Sequence, residues 1–135
     1  MSTASEFWQE HEQRVKAAWR SVSYLLGLAA LLLIALPCAN ALRPASDSMA
    51  QWFQRTGAPV TVFAFLAQNK ANHLGDLLTP GSFGSPELMA LRSRYLPKQK
   101  RGLWLATCLT IIGTIVWAYG DILFNNLARI ASAAA

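Results

Sequence analysis

The chain has 135 residues, of which 53% are apolar and only 14% are charged, and its formal net charge is +5. The apolar residues are gathered into blocks, which is typical of a membrane protein and not of a soluble domain. The lysines and arginines flank these blocks without a zinc pattern, an RNA-binding signature or a glycine-rich phosphate loop, so we expect anionic lipids as partners and no nucleic acid.

The first predicted element is an amphipathic helix over residues 4–21 that leads directly into an apolar segment. Thr3 and Glu6 have the spacing of a capping box. Apolar and aromatic side chains then recur at intervals of three and four residues, which gives the helix one apolar side. Two acid-before-base pairs lie on the polar side, each contributing about 0.2–0.5 kcal/mol. These pairs are Glu10 with Arg14 and Glu12 with Lys16.

Residues 22–42 form the first predicted transmembrane helix. They contain no charged side chain, and about 20 helical residues are enough to cross a bilayer. A cleaved secretory leader is an alternative, because Ala39, Asn40 and Ala41 have the small-x-small form of a cleavage site. The long, charged and patterned region before the apolar run favours an uncleaved anchor.

The segment 49–68 decides the predicted topology. Only residues 58–67 are strongly apolar, and Arg55 and Pro59 weaken the prediction of a span. The segment is therefore expected to be a membrane-embedded or re-entrant helix, with a third crossing as the alternative. If Arg55 extends outward, residues 52–67 reach about 24 Å at ~1.5 Å per residue, marginally enough for a thin bilayer.

A polar loop is predicted over residues 69–85, followed by a short interfacial helix over 86–96. Ser85 is a good N-cap, and Pro97 is expected to end the helix. The basic side of this helix and the basic residues after it are expected to lie on lipid headgroups. The predicted headgroup contacts are Arg92, Arg94, Lys98, Lys100 and Arg101.

Residues 102–120 form the clearest transmembrane helix, and an amphipathic tail follows over 121–135. Small and hydroxyl residues cluster on one face of this helix, as they do on the first span. Helices in lipid associate through close packing at such faces, because lipid tails are as apolar as leucine. These faces are expected to pack either within the chain or against other membrane subunits or another copy of it. The predicted helix-packing residues are Ser23, Gly27, Ala30, Ala106, Thr110, Gly113 and Gly120.

Positive charge precedes both confident spans, and this creates a conflict of topology. Basic residues beside a span tend to stay in the cytoplasm while consecutive spans alternate in direction, so a two-span hairpin places one basic cluster on the wrong side. Three crossings with a cytoplasmic N-terminus place nine of the twelve basic residues in the cytoplasm. The two-span alternative with a cytoplasmic loop requires translocation of the charged N-terminal helix. We predict a bacterial inner-membrane protein with its N-terminus in the cytoplasm.

No catalytic, cofactor-binding or metal-ligating pattern is recognisable in the sequence. His73, Asp76 and Glu87 fit neither a zinc motif nor an acid/base arrangement. Cys38 and Cys108 belong to no CxxC pattern, and in apolar runs a thiol is usually a small hydrophobe. The sequence therefore predicts no enzyme, no cofactor and no metal.

The sequence predicts a single all-α integral membrane domain and, from its packing faces, a class of function. The preferred hypothesis is a small non-catalytic subunit within a larger envelope complex of secretion, transport or respiratory type. One alternative is a self-assembling protein, either a pilin-like subunit with a long leader or a holin-like pore former. Another is a small carrier or membrane enzyme, although the two confident spans contain no ionisable residue of the kind that transport uses.

Overall fold

The computed structural model describes residues 4–79 and 85–134, and these residues form helices and the connection between the first two of them. The helices are α1 (Ala4–Cys38), α2 (Met49–Leu78) and α3 (Pro86–Ala134), and a short 3₁₀ helix covers Asn40–Leu42. The described residues contain no strand. The all-α class predicted from the sequence is confirmed.

Helix α1 joins the predicted entry helix and the first apolar segment without a break. The two ion pairs of its polar side are present, with 2.6 Å between Arg14 Nη2 and Glu10 Oε1 and 2.7 Å between Lys16 Nζ and Glu12 Oε1. The helix ends at Cys38, directly after Pro37 and before the predicted boundary at residue 42. The predicted capping box involves Thr3, which lies outside the described residues.

Helix α2 starts where the sequence predicted but is longer than expected. Its N-terminus has a complete capping box, in which Gln51 N donates to Ser48 Oγ (3.2 Å) and Ser48 N donates to Gln51 Oε1 (3.0 Å). The predicted loop over residues 69–85 is wrong for residues 69–78, which continue the helix. The reason is packing: Ala71, Leu74 and Leu78 lie on one side of this extension and are completely buried.

Helix α3 contains both the predicted interfacial helix and the last predicted span. Ser85 caps it, because Leu88 N donates to Ser85 Oγ (3.2 Å). Pro97 does not end the helix as predicted but lies inside it. A proline in a helix interior costs about 3 kcal/mol, and buried contacts on both sides offset this cost here, since Tyr95 and Gln99 are both buried. The predicted tail is helical through Ala134.

The three helices run antiparallel in chain order, with α2 packed against both of the others. At one end, His11 Nε2 lies 3.1 Å from Leu77 O. At the other end, Trp52 Nε1 donates to Leu36 O (3.0 Å). Gln99 Nε2 donates to Ala71 O (3.2 Å), and the rings of Phe53 and Phe124 are 5.9 Å apart near the opposite end of the α2–α3 pair. The result is an up-down-up bundle.

Small residues bring α2 and α3 into close backbone contact. A Cβ atom on Gly57 would meet the Gly113 carbonyl and the Trp117 backbone nitrogen, and one on Gly120 would lie 2.7 Å from Gln54 Cα. Apart from Thr56, the buried positions of α2 repeat at intervals of three and four residues, the spacing of a coiled-coil seam. These positions are Gly57, Val60, Ala64, Ala67, Ala71, Leu74 and Leu78.

Adding a methyl group at Gly113 is expected to destabilise the bundle. The new Cβ would lie 2.9 Å from Thr61 N, so the helix backbones would have to separate, at a cost of about 1–3 kcal/mol. The matched control is Gly27→Ala, since nothing lies within 4 Å of a Cβ at Gly27. That variant is expected to gain up to ~1 kcal/mol from helix propensity. Unfolding in mild detergent, followed by circular dichroism, measures both, and equal stabilities would contradict the close contact.

Candidate functional site

Two helices of the bundle are long and apolar enough to cross a membrane. They cover Glu6–Cys38 and Pro86–Ala133, and only 11% and 22% of their most apolar windows are buried inside the protein. A core helix of a soluble protein would be mostly covered by its neighbours. Helix α2 has sufficient length, but strongly apolar residues occupy only its middle.

Exposed apolar side chains surround the bundle in one zone, here named the apolar belt. Its members on α1 and α2 lie between the His11–Leu77 and Trp52–Leu36 contacts. Its members on α3 lie between Gln99 and Phe124, which contact the corresponding stretch of α2. An exposed apolar surface of this extent needs a partner or lipid to cover it. The belt consists of Tyr24, Leu28, Leu31 and Ile34 on α1, Val62, Phe65 and Leu66 on α2, and Trp104, Leu105, Ile111, Ile112, Ile115, Trp117, Tyr119, Ile122 and Leu123 on α3.

The two basic clusters that caused the conflict of topology lie at the same end of the bundle. A Cβ on Gly102 would lie 3.2 Å from Val22 Cγ1 and 3.3 Å from the Trp19 ring, so α1 and α3 are side by side there. The region that contains both clusters, Lys70 of α2, and Arg92 and Arg94 of α3 is named the basic end. It comprises Arg14, Lys16, Arg20, Lys70, Arg92, Arg94, Lys98, Lys100 and Arg101.

Arg55 belongs to the opposite end, where it pairs with the connection between α1 and α2. Its Nη1 lies 2.7 Å from Asp47 Oδ2, with the arginine side chain 62% exposed and the aspartate side chain 7% exposed. Asp47 Oδ2 accepts no hydrogen bond from the described residues, so its contact with Arg55 is an ion pair without hydrogen-bond geometry. Arg55 therefore extends away from the middle of α2, in the direction that a third crossing requires.

The predicted headgroup residues are all exposed on the first part of α3. Arg94 Cζ and Lys98 Nζ lie 5.8 Å and 5.1 Å from the centroid of the Tyr95 ring, within the range of cation–π attraction. Lys100 and Arg101 line an open apolar depression together with Trp104 and Leu105. The arrangement combines cations with aromatic and apolar side chains at the edge of the apolar belt.

The predicted helix-packing residues fall into two groups. On α3, Ala106, Gly113 and Gly120 are buried, the two glycines directly against α2, and Thr110 is half-buried with its hydroxyl donated to Ala106 O (2.8 Å). The second group, named the α1 patch, remains open. It consists of Ser23 and Gly27, which are exposed, and Ala30, which is half-buried.

Sequence reasoning missed the residues of α2 that receive the small face of α3. Gln54, Gly57 and Thr61 lie closest to Gly113 and Gly120, and their spacing of three and four residues was the signal that could have identified them. Gln99 was also missed, because in the sequence it stands between Lys98 and Lys100 and nothing there indicates that it is buried. Its side chain donates to the Ala71 carbonyl.

Across 4–79 and 85–134, no group of three His, Cys, Asp or Glu side chains could hold a metal ion. Cys38 and Cys108 are free thiols. No protein-family model matches the chain, and no curated protein or solved structure matches it either. The candidate functional features are therefore surfaces: the apolar belt, the basic end and the α1 patch.

The helix register can be tested by engineered disulfides in a background with Cys38→Ser and Cys108→Ser. Phe53→Cys with Phe124→Cys is expected to crosslink under mild oxidation, because the native rings contact each other with their centroids 5.9 Å apart, so the two positions face each other at the same level of α2 and α3. The matched control is Phe53→Cys with Ala106→Cys, since Ala106 lies about 18 residues, or about 27 Å, from Phe124 along α3. Crosslinking within one chain in the control but not in the test pair would contradict the antiparallel register.

Proposed function

We propose that this protein is a non-catalytic membrane subunit that crosses the bilayer three times and packs within a larger envelope complex of secretion, transport or respiratory type. The observation that supports the proposal most directly is that the α1 patch, which lies at the level of the apolar belt, is left open. Helix α2 covers the small-residue face of α3, but no helix covers the α1 patch among the described residues. In a bilayer, an open patch of small residues favours association with another helix.

The three-crossing topology is supported by the distribution of charge along the bundle. Nine basic residues lie at the basic end, whereas Arg43, Arg55 and Arg129 lie outside it. The positive-inside rule then assigns the basic end to the cytoplasm. This orientation also gives the N-terminus a cytoplasmic position. A bacterial inner membrane is the proposed location, because its anionic inner leaflet complements such a surface.

The partner class follows from the chemistry of the α1 patch. Gly27 lets a facing helix approach closely, and Ser23 Oγ donates to Trp19 O (3.1 Å), so the hydroxyl is satisfied without a partner. The patch therefore suits close van der Waals packing with an apolar helix and needs no incoming polar group. Its neighbours Tyr24, Leu31 and Ile34 are exposed and supply apolar area around the small residues.

Cysteine accessibility in intact spheroplasts tests the topology. In a background without native cysteines, Ser46→Cys is expected to react with a membrane-impermeant maleimide from outside, because it lies at the end opposite the basic end. Asn72→Cys, an exposed position on α2, is expected to react only after the cells are lysed. Labelling of both positions from the same side would contradict the third crossing.

The α1 patch can be tested by adding bulk to it. Gly27→Leu is expected to abolish comigration with partner proteins after gentle detergent extraction and crosslinking in native membranes, because the side chain prevents close helix approach. The matched control is Ala118→Leu, an exposed small residue on α3, which is expected to leave comigration intact.

The outcomes of this experiment separate the alternatives. Migration of the wild type only as a lone monomer, with no crosslinked partner, would overturn the subunit proposal. Crosslinks only between identical chains would replace it with self-assembly. Equal loss of partners in both leucine variants would show that the α1 patch is not the contact.

A further inference from the structure

A groove of about 390 Å³ runs between α1 and α2 at the basic end, on a surface distinct from the headgroup contacts predicted on α3. It is lined by Arg14, Ala17, Ala18, Ser21, Lys70, His73 and Leu77. The α1 members are spaced by three, one and three residues, and the α2 members by three and four, so each set follows one face of its helix. The His11–Leu77 contact lies beside the groove and holds the two helices together there.

The lining is rich in groups that bind anions and contains no carboxylate. Lys70 and His73 are exposed and take part in no salt bridge among the described residues. Glu10 Oε1 contacts only Nη2 of Arg14 (2.6 Å), and a guanidinium has five N–H donors, so further donors remain for a ligand. Ser21 Oγ donates to Ala17 O (3.1 Å) and can still accept a hydrogen bond. These groups suit a phosphate diester.

Below the groove, the same two faces become apolar. Leu28 lies seven residues after Ser21 on α1, and Leu66 lies seven residues before His73 on α2, which is two helical turns in each case. Both leucines are exposed members of the apolar belt. A ligand that occupies the whole surface must therefore have an anionic head and an apolar tail, and a free inorganic anion would use only its upper part.

We infer that the α1–α2 groove is a binding site for an acidic phospholipid, whose phosphate contacts Arg14, Lys70 and His73 and whose acyl chain lies over Leu28 and Leu66. Basic pockets between transmembrane helices on the cytoplasmic side are a recognised mode of acidic lipid binding. The inference rests on the membrane location in the proposed function. The site differs from a general basic surface in three ways: the phosphate lies in one groove, the head group is a phosphate diester, and the acyl chain follows a defined path.

Native mass spectrometry of the full chain in a neutral detergent tests the site. The probes are phosphatidylglycerol, phosphatidylcholine with the same acyl chains, and inorganic phosphate. Phosphatidylglycerol is expected to bind most tightly, and Arg14→Gln with Lys70→Gln is expected to weaken its binding about 25-fold, at about 5-fold for each cation removed. The matched control is Lys16→Gln with Arg20→Gln, which removes the same charge from the basic end at α1 residues that do not line the groove. Circular dichroism checks that both variants remain helical.

A binding loss confined to the groove variant supports the site. Equal losses in the two variants would replace it with diffuse attraction to the basic end, and equal affinity for the two lipids would overturn it. Competition by inorganic phosphate as effective as that by phosphatidylglycerol would show an anion site without lipid specificity. Lipid binding is measured on purified protein, whereas partner crosslinking is measured in membranes. Failure of the lipid site and failure of the subunit proposal are therefore detected separately.

Discussion

The close contact between the backbones of α2 and α3 is the constraint on which the rest of the structure depends. It is possible only because Gly57, Gly113 and Gly120 lack side chains where the helices cross at the shortest distance. The contact also fixes the register, since a shift by one residue would bring larger neighbours such as Ile112 and Tyr119 into the seam. Gln99 reinforces this register through its hydrogen bond to the Ala71 carbonyl.

The position of α2 resolves the conflict between the two basic clusters. Since α2 returns along the bundle, α1 and α3 run in the same direction, and Arg14–Arg20 and Lys98–Arg101 share one end. Concentrating nine cations there creates repulsion. Glu10 and Glu12 reduce it through ion pairs with cations on their own helix, and Glu12 also interacts electrostatically with Arg94 of α3. An anionic surface or ligand at this end would stabilise the fold.

Local signals in the sequence were enough to predict several parts of the fold, but contacts between helices were not. The ion pairs of α1 and the Ser85 cap depend on residues at most four positions apart, and both are present. The extension of α2 beyond residue 68 and the passage of α3 through Pro97 depend on burial against another helix. The small face containing Gly113 was visible in the sequence, whereas its partner was not, because neighbours far apart in the chain decide which helix covers it.

The two proposed binding surfaces of α1, the α1–α2 groove and the α1 patch, can be occupied at the same time. Ser21 lines the α1–α2 groove, and Ser23 begins the α1 patch. Two residues along an α-helix correspond to a rotation of about 200°, so the two surfaces lie on nearly opposite sides of α1. Between them, Val15, Val22 and Ala29 repeat every seven residues and are completely buried. A partner helix on the α1 patch would therefore leave the groove open to lipid, and a lipid in the groove would brace α1 against α2 without competing with the partner.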